Sequence, residues 1–380
     1  MAFLSEELLS TIHSRAGQHD ADNTFPFDDL EDLKAAGYLS AYVPTEFGGG
    51  GLNLEEIAAE QTRLAKAAPG TALGINMHHI IVGLGSYLVR HGNPRGELIL
   101  RGAVDGELFG FGISEPGNDL VLFGSISTAE PDNKGGYSFT GTKIFNSLAP
   151  AWTKLLTFGR DDSGDDTKSV FAILDRAADG IEFKDDWDTL GMRATQSQTL
   201  FLKGAHAPES QILTRTDPGP SADPVVFGLF AHFEILLAAT YAGVGERAIE
   251  VAVEHVKTRK SVKNHTVYAN DPDIRWRIAT AALEMNAVGP QIRELARDVD
   301  NGVDRGGMWM PQLSAAKNAA AEASLRTVEQ CLRACGGSSY YTKNELSRLY
   351  RDVVAGLFQP SDQESLHGAW AGAMLGPVTD

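Results

Sequence analysis

One stretch of the chain joins an apolar segment to a sharply turning polar one. Residues 108–114 read LFGFGIS, which is typical of a buried strand, and Glu115-Pro-Gly117 follows directly. Proline and glycine favour a turn and suit the interior of neither a helix nor a strand. Two interpretations stay open for residues 112–119. They form a surface turn, or they form a loop that offers backbone N–H groups to a flat, anionic cofactor.

A single carboxylate, Glu234, lies in a strongly apolar run, AHFEILLAAT at 231–240. Burial of an ionised carboxylate costs free energy unless the group is paired or used. An apolar pocket would raise the pKa of this carboxyl group and suit it to remove a proton from a substrate. The other interpretation is a helix end whose carboxylate points to water. The sequence leaves both open.

The composition excludes several classes of function. The 380 residues carry a formal net charge of −17, which disfavours binding to nucleic acid or to an anionic membrane surface. Cys331 and Cys335 lie four residues apart without histidine or carboxylate partners, so we expect no metal site. The N-terminus lacks a signal-peptide pattern, and we find no apolar run of membrane-spanning length. We therefore expect a cytoplasmic protein.

Hydrophobic periodicity divides the chain into three parts. Residues 1–107 have the apolar spacing of amphipathic helices. Short alternating or β-branched segments between Gly, Asp and Asn predict a central β domain at 108–224, which ends in a linker rich in Pro, Asp and Gly. Residues 225–380 return to a helical pattern, whose apolar stripes predict a helical bundle.

Start and stop signals place individual helices within these parts. Acidic residues in a first turn and Gly37 as a stop predict a helix at 27–39, and Asn53 as a cap predicts one at 52–70. In the last part, a long and very apolar helix is predicted at 234–260. Amphipathic helices are expected at 273–299 and 313–335, and a last helix at about 343–358.

The order of these parts, together with several motifs, resembles the acyl-CoA dehydrogenase superfamily. The resemblance covers almost the whole chain, and it implies an α+β fold with an N-terminal helical domain, a central β domain and a C-terminal four-helix bundle. The motifs that carry it are Ser114-Glu-Pro-Gly117, Gly141-Thr-Lys-Ile-Phe145-Asn-Ser147, Leu190-Gly-Met-Arg193-Ala-Thr195, Ala242-Gly243-x-Gly245 with Lys257-Thr-Arg259, and Cys335-Gly-Gly337 followed by Arg348-x-x-Arg351-Asp352.

The resemblance implies FAD as the cofactor. Ser114 would hydrogen-bond the pyrimidine edge of the isoalloxazine ring, Ser147 would reach N5, and Phe145 would form an aromatic wall. Arg259 and the Gly336-Gly337 loop would hold the pyrophosphate across a dimer interface, which implies a homodimer or homotetramer. The full expected set is Phe111, Ile113, Ser114, Phe145, Asn146, Ser147, Arg259, Arg333, Gly336 and Gly337.

Three departures from the family pattern bear on these implications. Asn118-Asp-Leu-Val121 replaces the usual Ala-Gly-Ser-Asp after the Glu-Pro-Gly turn, and Val262-Lys263 replaces a Phe-Gly pair after the arginine. The position of the catalytic glutamate falls on Pro360, and a proline cannot remove a proton.

The base must then lie elsewhere if the protein is a dehydrogenase. Some family members carry it on the first helix of the bundle, and that position falls one residue before Glu234. Glu234 is therefore the first candidate base. Asp362 is the second, two residues beyond Pro360, and Glu364 is a weaker third.

Three further residues are expected to contact substrate: His78, His79 and Arg193. The two histidines lie where family members line the substrate channel. The alternative for a histidine in an apolar helix is a core residue with satisfied hydrogen bonds.

Three functions fit this resemblance. The first is desaturation of an acyl thioester carried by CoA or a carrier protein, with electrons passed to an acceptor protein. The second is a flavin monooxygenase or N-hydroxylase that receives reduced flavin from a reductase and does not need the missing glutamate. The third is a non-catalytic flavin-binding subunit that pairs with an active paralogue. Fold alone does not choose among them.

Overall fold

A helical domain precedes the first strand in the computed structural model, which describes residues 2–376. Its helices are α1 (Glu6–Asp22), α2 (Phe27–Ala35), α3 (Leu54–Ala67), α4 (Pro69–Arg90) and α5 (Gly96–Val104). Asn53 caps α3 as predicted, because its side chain accepts a hydrogen bond from Glu56 N while the Glu56 carboxylate accepts one from Asn53 N. α2 is shorter than predicted and ends before Gly37, whose φ is 75°.

The central domain is one mixed sheet of eight strands. The strands are β1 (Phe109–Gly112), β2 (Thr128–Pro131), β3 (Tyr137–Asn146), β4 (Lys154–Asp161), β5 (Lys168–Asp175), β6 (Ile181–Lys184), β7 (Gln198–Ala207) and β8 (Ile212–Thr216). They follow the order β6-β7-β3-β2-β4-β5-β8, and β1 pairs with β4 in parallel, with Phe111 opposite Leu156. The chain therefore leaves the sheet at the end of β1, immediately before the turn at 114–117.

The rest of the described chain is helical apart from one short hairpin. Its elements are α6 (Pro224–Thr258), β9 (Lys260–Ser261), β10 (Thr266–Val267), α7 (Pro272–Asn286), α8 (Val288–Asp300), α9 (Trp309–Cys335), α10 (Glu345–Val353) and α11 (Gln363–Leu375). α6 packs against α9 on one side and against α3 and α4 on another. It therefore joins the bundle to the N-terminal domain and positions the residues that it carries at the centre of the molecule.

Local signals explain where these helices differ from the prediction. α6 begins ten residues earlier than expected, because Pro224 suits a first turn and Asp223 accepts a hydrogen bond from Val225 N. The helix predicted at 273–299 is two helices that break at Ala287. Pro290 lacks an N–H to bond the carbonyl four residues earlier, at the end of α7. The helix predicted at 343–358 is the shorter α10, and α11 was not predicted.

Two core helices, α4 and α6, are long and apolar enough to cross a membrane by length and composition, which corrects our reading of the sequence. In each helix, 89% of the most apolar 18-residue window is buried inside the protein. The apolar character of both helices is therefore used in packing against the rest of the chain.

Candidate functional site

Two neighbouring cavities lie between the sheet and the C-terminal helices. The smaller one, of about 320 Å³, has Phe145, Trp187 and Phe358 in its lining, and we call it the aromatic cavity. The larger one, of about 550 Å³, includes Leu122 and Phe230, and we call it the apolar cavity. Both volumes lie in the range of small-molecule sites in proteins.

Four residues line both cavities and form what we call the shared wall: Phe111, Ser114, Phe233 and Pro360. The rings of Phe111 on β1 and Phe233 on α6 stack with centroids 5.4 Å apart and planes 20° apart. None of the four side chains ionises near neutral pH. The boundary between the cavities is thus an apolar partition with one hydroxyl.

Phe145, in the aromatic cavity, has a strained backbone conformation. Its φ is 57°, a region that bulky residues rarely adopt, and 60% of the residue is exposed. Its ring meets Trp187 edge to face at 6.1 Å. Leu190 and Phe358 line the same cavity and are also largely exposed. A flat ring bound here would cover this apolar surface, so the cavity has the character of an aromatic ligand site.

A chain of hydroxyl groups borders the aromatic cavity. Ser147 Oγ lies 2.8 Å from Ser197 Oγ, and Ser197 Oγ lies 2.7 Å from Thr195 Oγ1. Thr195 uses its one hydroxyl proton on Met192 O, at 2.8 Å. Because each hydroxyl has one proton, Ser197 must donate to Thr195, and Ser147 must donate to Ser197. Ser147 therefore offers the cavity acceptor lone pairs.

The turn at 114–117 is held in place by Glu115. Its carboxylate accepts hydrogen bonds from Lys143 Nζ at 2.6 Å, Ser125 Oγ at 2.6 Å and Ser127 N at 3.0 Å. Ile126 N donates to its second oxygen at 2.8 Å. Burial raises the pKa of Glu115, but Lys143 and the serine hydroxyls outweigh burial and lower it to about 2. Glu115 is thus the anchor of the loop that carries Ser114.

Glu234 lies on α6, is 1% exposed and lines the apolar cavity. Its Oε1 accepts a hydrogen bond from Ser361 N at 2.9 Å, whereas its Oε2 has no hydrogen-bond partner among residues 2–376. Burial raises the pKa of Glu234 to about 7, although the positive charge of Lys317 opposes the shift. The sequence-based alternative of a carboxylate that points to water is therefore wrong.

Lys317 on α9 fixes the segment 356–361, which carries Pro360. Its Nζ donates to Gly356 O at 2.8 Å, to Gln359 O and to Ser361 O at 3.1 Å. Burial lowers the pKa of Lys317 to about 8, and Glu234 opposes that shift. Lys317 and Glu234 both bind this segment and thus set the position of one side of the shared wall.

The other two candidate bases do not line either cavity. Asp362 caps α11, where its Oδ1 accepts a hydrogen bond from Ser365 N at 2.9 Å. Burial raises the pKa of Asp362, but the hydrogen bonds from Ser365 outweigh burial and lower it. Glu364 is exposed in the first turn of α11. Their positions match helix capping and dipole effects rather than contact with a substrate.

The expected pyrophosphate residues lie together, at the C-terminal ends of α6 and α9. Arg259 Nη1 donates to Cys335 O at 3.3 Å and to Ser338 Oγ at 3.0 Å, beside Gly336 with φ 72°. A side chain added at Gly337 would meet no atom within 4 Å, so this loop is open. Arg333 instead points to Glu329 as an exposed i,i+4 pair.

The structure does not place the two histidines at either cavity. His78 Nε2 lies 2.7 Å from Leu39 O, and Phe109 N donates to His78 Nδ1 at 3.1 Å. Both ring nitrogens are therefore used, and burial lowers the pKa of His78 to about 4. His79 is also buried and packs edge to face on Tyr38 at 4.6 Å. His78 is therefore a neutral core residue with satisfied hydrogen bonds, behind β1, which is the alternative interpretation given for a histidine in an apolar helix.

Three other predicted residues take different positions. Arg193 is held outside both cavities, because it donates to Asp20 O at 2.9 Å and to Thr189 O at 2.9 Å. Ile113 is buried in the lining of the apolar cavity. Asn146 is buried and donates to Gln198 O at 3.3 Å, so it supports β3 and β7 rather than lining a cavity.

The family description "Acyl-CoA dehydrogenase, N-terminal domain" matches residues 2–97, and "Acyl-CoA dehydrogenase, C-terminal domain" matches residues 224–357. This chain belongs to the acyl-CoA dehydrogenase superfamily. The predicted family and fold class are confirmed, with the sheet between the two matched regions.

Relatives of this superfamily member have different named activities. It is 29% identical over 365 residues to L-evernosamine nitrososynthase of Micromonospora sp., covering 92% of this chain and 84% of that protein. It is 26% identical over 363 residues to glutaryl-CoA dehydrogenase of Desulfococcus multivorans, covering 93% and 90%. KijD3, solved with FMN and a dTDP-linked amino sugar, superposes with a TM-score of 0.87 at 27% identity, covering 98% and 92%.

These likenesses make the protein a flavoprotein of the acyl-CoA dehydrogenase fold. The residues of the aromatic cavity fit a flavin ring, because Phe145 presents an exposed, strained aromatic face and Ser147 presents an acceptor. Two flavins are compatible with these comparisons: FAD, which the resemblance implies, and FMN, which KijD3 holds.

Several lining residues were missed by the sequence analysis. Trp187 and Gln359 line the aromatic cavity, and Phe233 belongs to the shared wall. Arg351 also lines the aromatic cavity and donates to Asp20 and to Leu190 O. Arg351 belongs to the motif Arg348-x-x-Arg351-Asp352, and its place in that motif was a sequence signal for a site residue. Trp187 and Gln359 lie in loops with no local pattern, and Phe233 lies within the continuous apolar run of α6.

Proposed function

We propose that this superfamily member is a flavin-dependent monooxygenase that uses reduced flavin and O₂ to oxygenate a small molecule. The observation that carries the proposal is the shared wall, where Pro360 replaces the family's glutamate and no residue can act as a base. Desaturation needs a base at the boundary between ring and substrate, whereas oxygenation does not. The likeness to a protein named as a nitrososynthase supports an oxidation that adds oxygen.

The aromatic cavity would hold the flavin ring, with Phe145 and Trp187 against it. Reduced flavin bound there would supply the two electrons with which one atom of O₂ enters the substrate and the other leaves as water. Ser147 suits this state, because its acceptor lone pairs match the ring N–H that flavin gains on reduction.

The apolar cavity would hold the substrate on the other side of the shared wall. Leu122, Phe230 and Ile113 exclude water from this space, which protects a reactive oxygen species from side reactions. The electrons would come from a reductase that supplies reduced flavin. Glu115 and Lys317 act by positioning, since each fixes a segment of the wall.

A specific observation also favours desaturation of an acyl thioester. Glu234 lines the apolar cavity next to Phe233, and burial raises its pKa to about 7, a value suited to a general base. In this alternative, Glu234 would remove the α-proton, and the β-hydrogen would leave with two electrons as a hydride that the flavin, when bound, would accept.

Two measurements on the flavin-loaded protein separate these functions. Reduced flavin is generated with NADH and a flavin reductase, and uptake of O₂ and oxygenated product are measured with candidate substrates. A panel of acyl-CoA thioesters is then added under anaerobic conditions, and bleaching of the oxidised flavin is recorded. The proposal expects a coupled oxygenated product and no bleaching. Bleaching by a thioester that disappears in Glu234→Gln would overturn it in favour of desaturation.

We also propose that a second copy of this chain covers α11. None of the 13 residues of α11 is buried, and Met374 and Leu375 are largely exposed. An apolar groove of about 480 Å³, lined by Trp370 and by Ala315 of α9, runs beside them. Exposed apolar surface of this kind is typical of a subunit interface and supports the expected homodimer or homotetramer.

A further inference from the structure

The charge state of Lys317 follows from its surroundings. Three carbonyl oxygens, those of Gly356, Gln359 and Ser361, accept hydrogen bonds from its Nζ. An ammonium group has three N–H donors, whereas a neutral amine has two. The site therefore selects the charged form, which needs a negative partner because a buried charge is costly when it stands alone.

Glu234 is the negative group that acts most strongly on Lys317, although no ion pair within 4 Å joins them, and one of its carboxylate oxygens is unused. Its Oε1 is used by Ser361 N, while Oε2 has no partner in the described part of the chain. Lys317 cannot satisfy Oε2, because its three donors are already used. A buried carboxylate oxygen without a donor is unfavourable, so the site lacks one hydrogen-bond donor.

The lining of the apolar cavity shows what kind of donor fits. Its ionisable residues are Glu234 and, at the rim, the exposed Asp119. Among residues 2–376, those that line it include no lysine, arginine or histidine. Lys317 directs its three N–H donors to backbone carbonyls and does not line the cavity, so the charged groups at the lining are carboxylates, which disfavour an anionic ligand and favour a cation. The remaining lining is mainly apolar, as in sites for compact organic molecules.

We infer that the apolar cavity binds a compact apolar molecule with a primary amine, whose ammonium group donates a hydrogen bond to Glu234 Oε2. Glu234 is only 1% exposed, so a small side-chain rotation must bring its carboxylate to the ligand. The inference rests on the proposed function for the assignment of this cavity to the substrate. It makes Glu234 a specificity-determining residue.

Three probes with the same ring test this inference without any turnover. Cyclohexylamine carries a cationic donor at neutral pH, cyclohexanol a neutral donor, and cyclohexanone only an acceptor. Their binding to the protein loaded with oxidised flavin is measured by calorimetry or by the flavin difference spectrum. We expect the amine to bind at least tenfold more tightly than the ketone, because a charged hydrogen bond replaces an unmet acceptor. Equal binding of amine and ketone would overturn the inference.

A variant pair localises the effect. Glu234→Gln keeps the shape of the side chain and removes its charge, so the preference for the amine should fall about tenfold while ketone binding is kept. Glu364→Gln removes one charge from the exposed surface of α11 and should leave all three affinities unchanged. If a folded Glu234→Gln variant prefers the amine over the ketone as strongly as the wild type does, the inference is overturned. If Glu234→Gln does not fold, the wild-type comparison of the three probes still decides.

Failure of this inference and failure of the proposed function have different signatures. Oxygenation by reduced flavin without any preference for the amine would overturn the inference alone. A preference for the amine in a protein that forms no oxygenated product would support the inference and overturn the monooxygenase proposal.

Discussion

Glu115 Oε1 accepts a hydrogen bond from Lys143 Nζ over 2.6 Å, and both side chains are fully buried. Lys143 also donates to Phe158 O at 2.8 Å, so the pair connects the turn after β1 to β3 and β4. Burial lowers the pKa of Lys143 to about 8 despite the partner. Burial of this pair costs a large desolvation free energy, but the pair fixes the loop and thereby positions Ser114.

Removal of the Glu115 charge should destabilise the protein. Glu115→Gln leaves Lys143 as an unpaired buried charge, so the free energy of unfolding should fall by about 3–5 kcal/mol, measured by urea denaturation. The pKa of Glu115 lies below its ordinary value of 4.5, at about 2. Its stabilisation is thus present above pH 4.5 and is lost as the pH falls through about 2. The free energy of unfolding of the variant should therefore not show this decrease at acid pH.

Glu130→Gln is the matched control, since Glu130 is an exposed carboxylate on β2. It should leave the free energy of unfolding within about 0.5 kcal/mol of wild type. Equal losses in the two variants would show that Glu115 does not act through its buried pair.

Phe145→Ala should weaken flavin binding. Loss of an aromatic partner for the ring costs about 0.5–1.5 kcal/mol beyond the lost area, so the dissociation constant should rise about three- to tenfold or more. Quenching of flavin fluorescence on titration measures it. Phe27→Ala on α2, where Phe27 is exposed away from both cavities, is the control. Unchanged flavin affinity in Phe145→Ala would show that the flavin does not bind in the aromatic cavity.

Arg259→Ala should separate FAD from FMN. A charged contact to phosphate contributes roughly 1.5–3 kcal/mol, so FAD should bind about tenfold to a hundredfold more weakly. FMN has only one of the two phosphates and lacks the AMP half, so its affinity should fall less. Arg333→Ala is the control, because Arg333 is exposed and paired with Glu329. Equal weakening of FAD and FMN binding would show that Arg259 does not contact the AMP half of FAD. The dissociation constants of both flavins check the outcome.

Light scattering should show a dimer or a tetramer. Leu375→Glu places a charge on the exposed apolar face of α11 and should shift the protein towards monomer. Val104→Glu on α5 is the control and should leave the mass unchanged. A folded, flavin-loaded wild-type monomer would contradict the proposed interface.

Features that depend on a few neighbouring residues were predictable from sequence. The end of β1 before the Glu-Pro-Gly turn, the Asn53 cap of α3 and the order of the three parts were found correctly. The break at Ala287 was missed, although Pro290 is a local signal for it, because the apolar spacing continues across the break. The family motifs also placed Ser114, Phe145 and Ser147 at one cavity.

Contacts between distant segments required the tertiary structure. The sequence shows that Glu234 sits among apolar residues, but only the packing of α6 on α9 places Lys317 near it and Ser361 N on one oxygen. His78 resembled a site residue until Leu39 and Phe109 were seen to use both ring nitrogens. A sequence determines which side chains can ionise or donate. Which of those groups are paired, and which are left for a ligand, is decided by elements that meet only after folding.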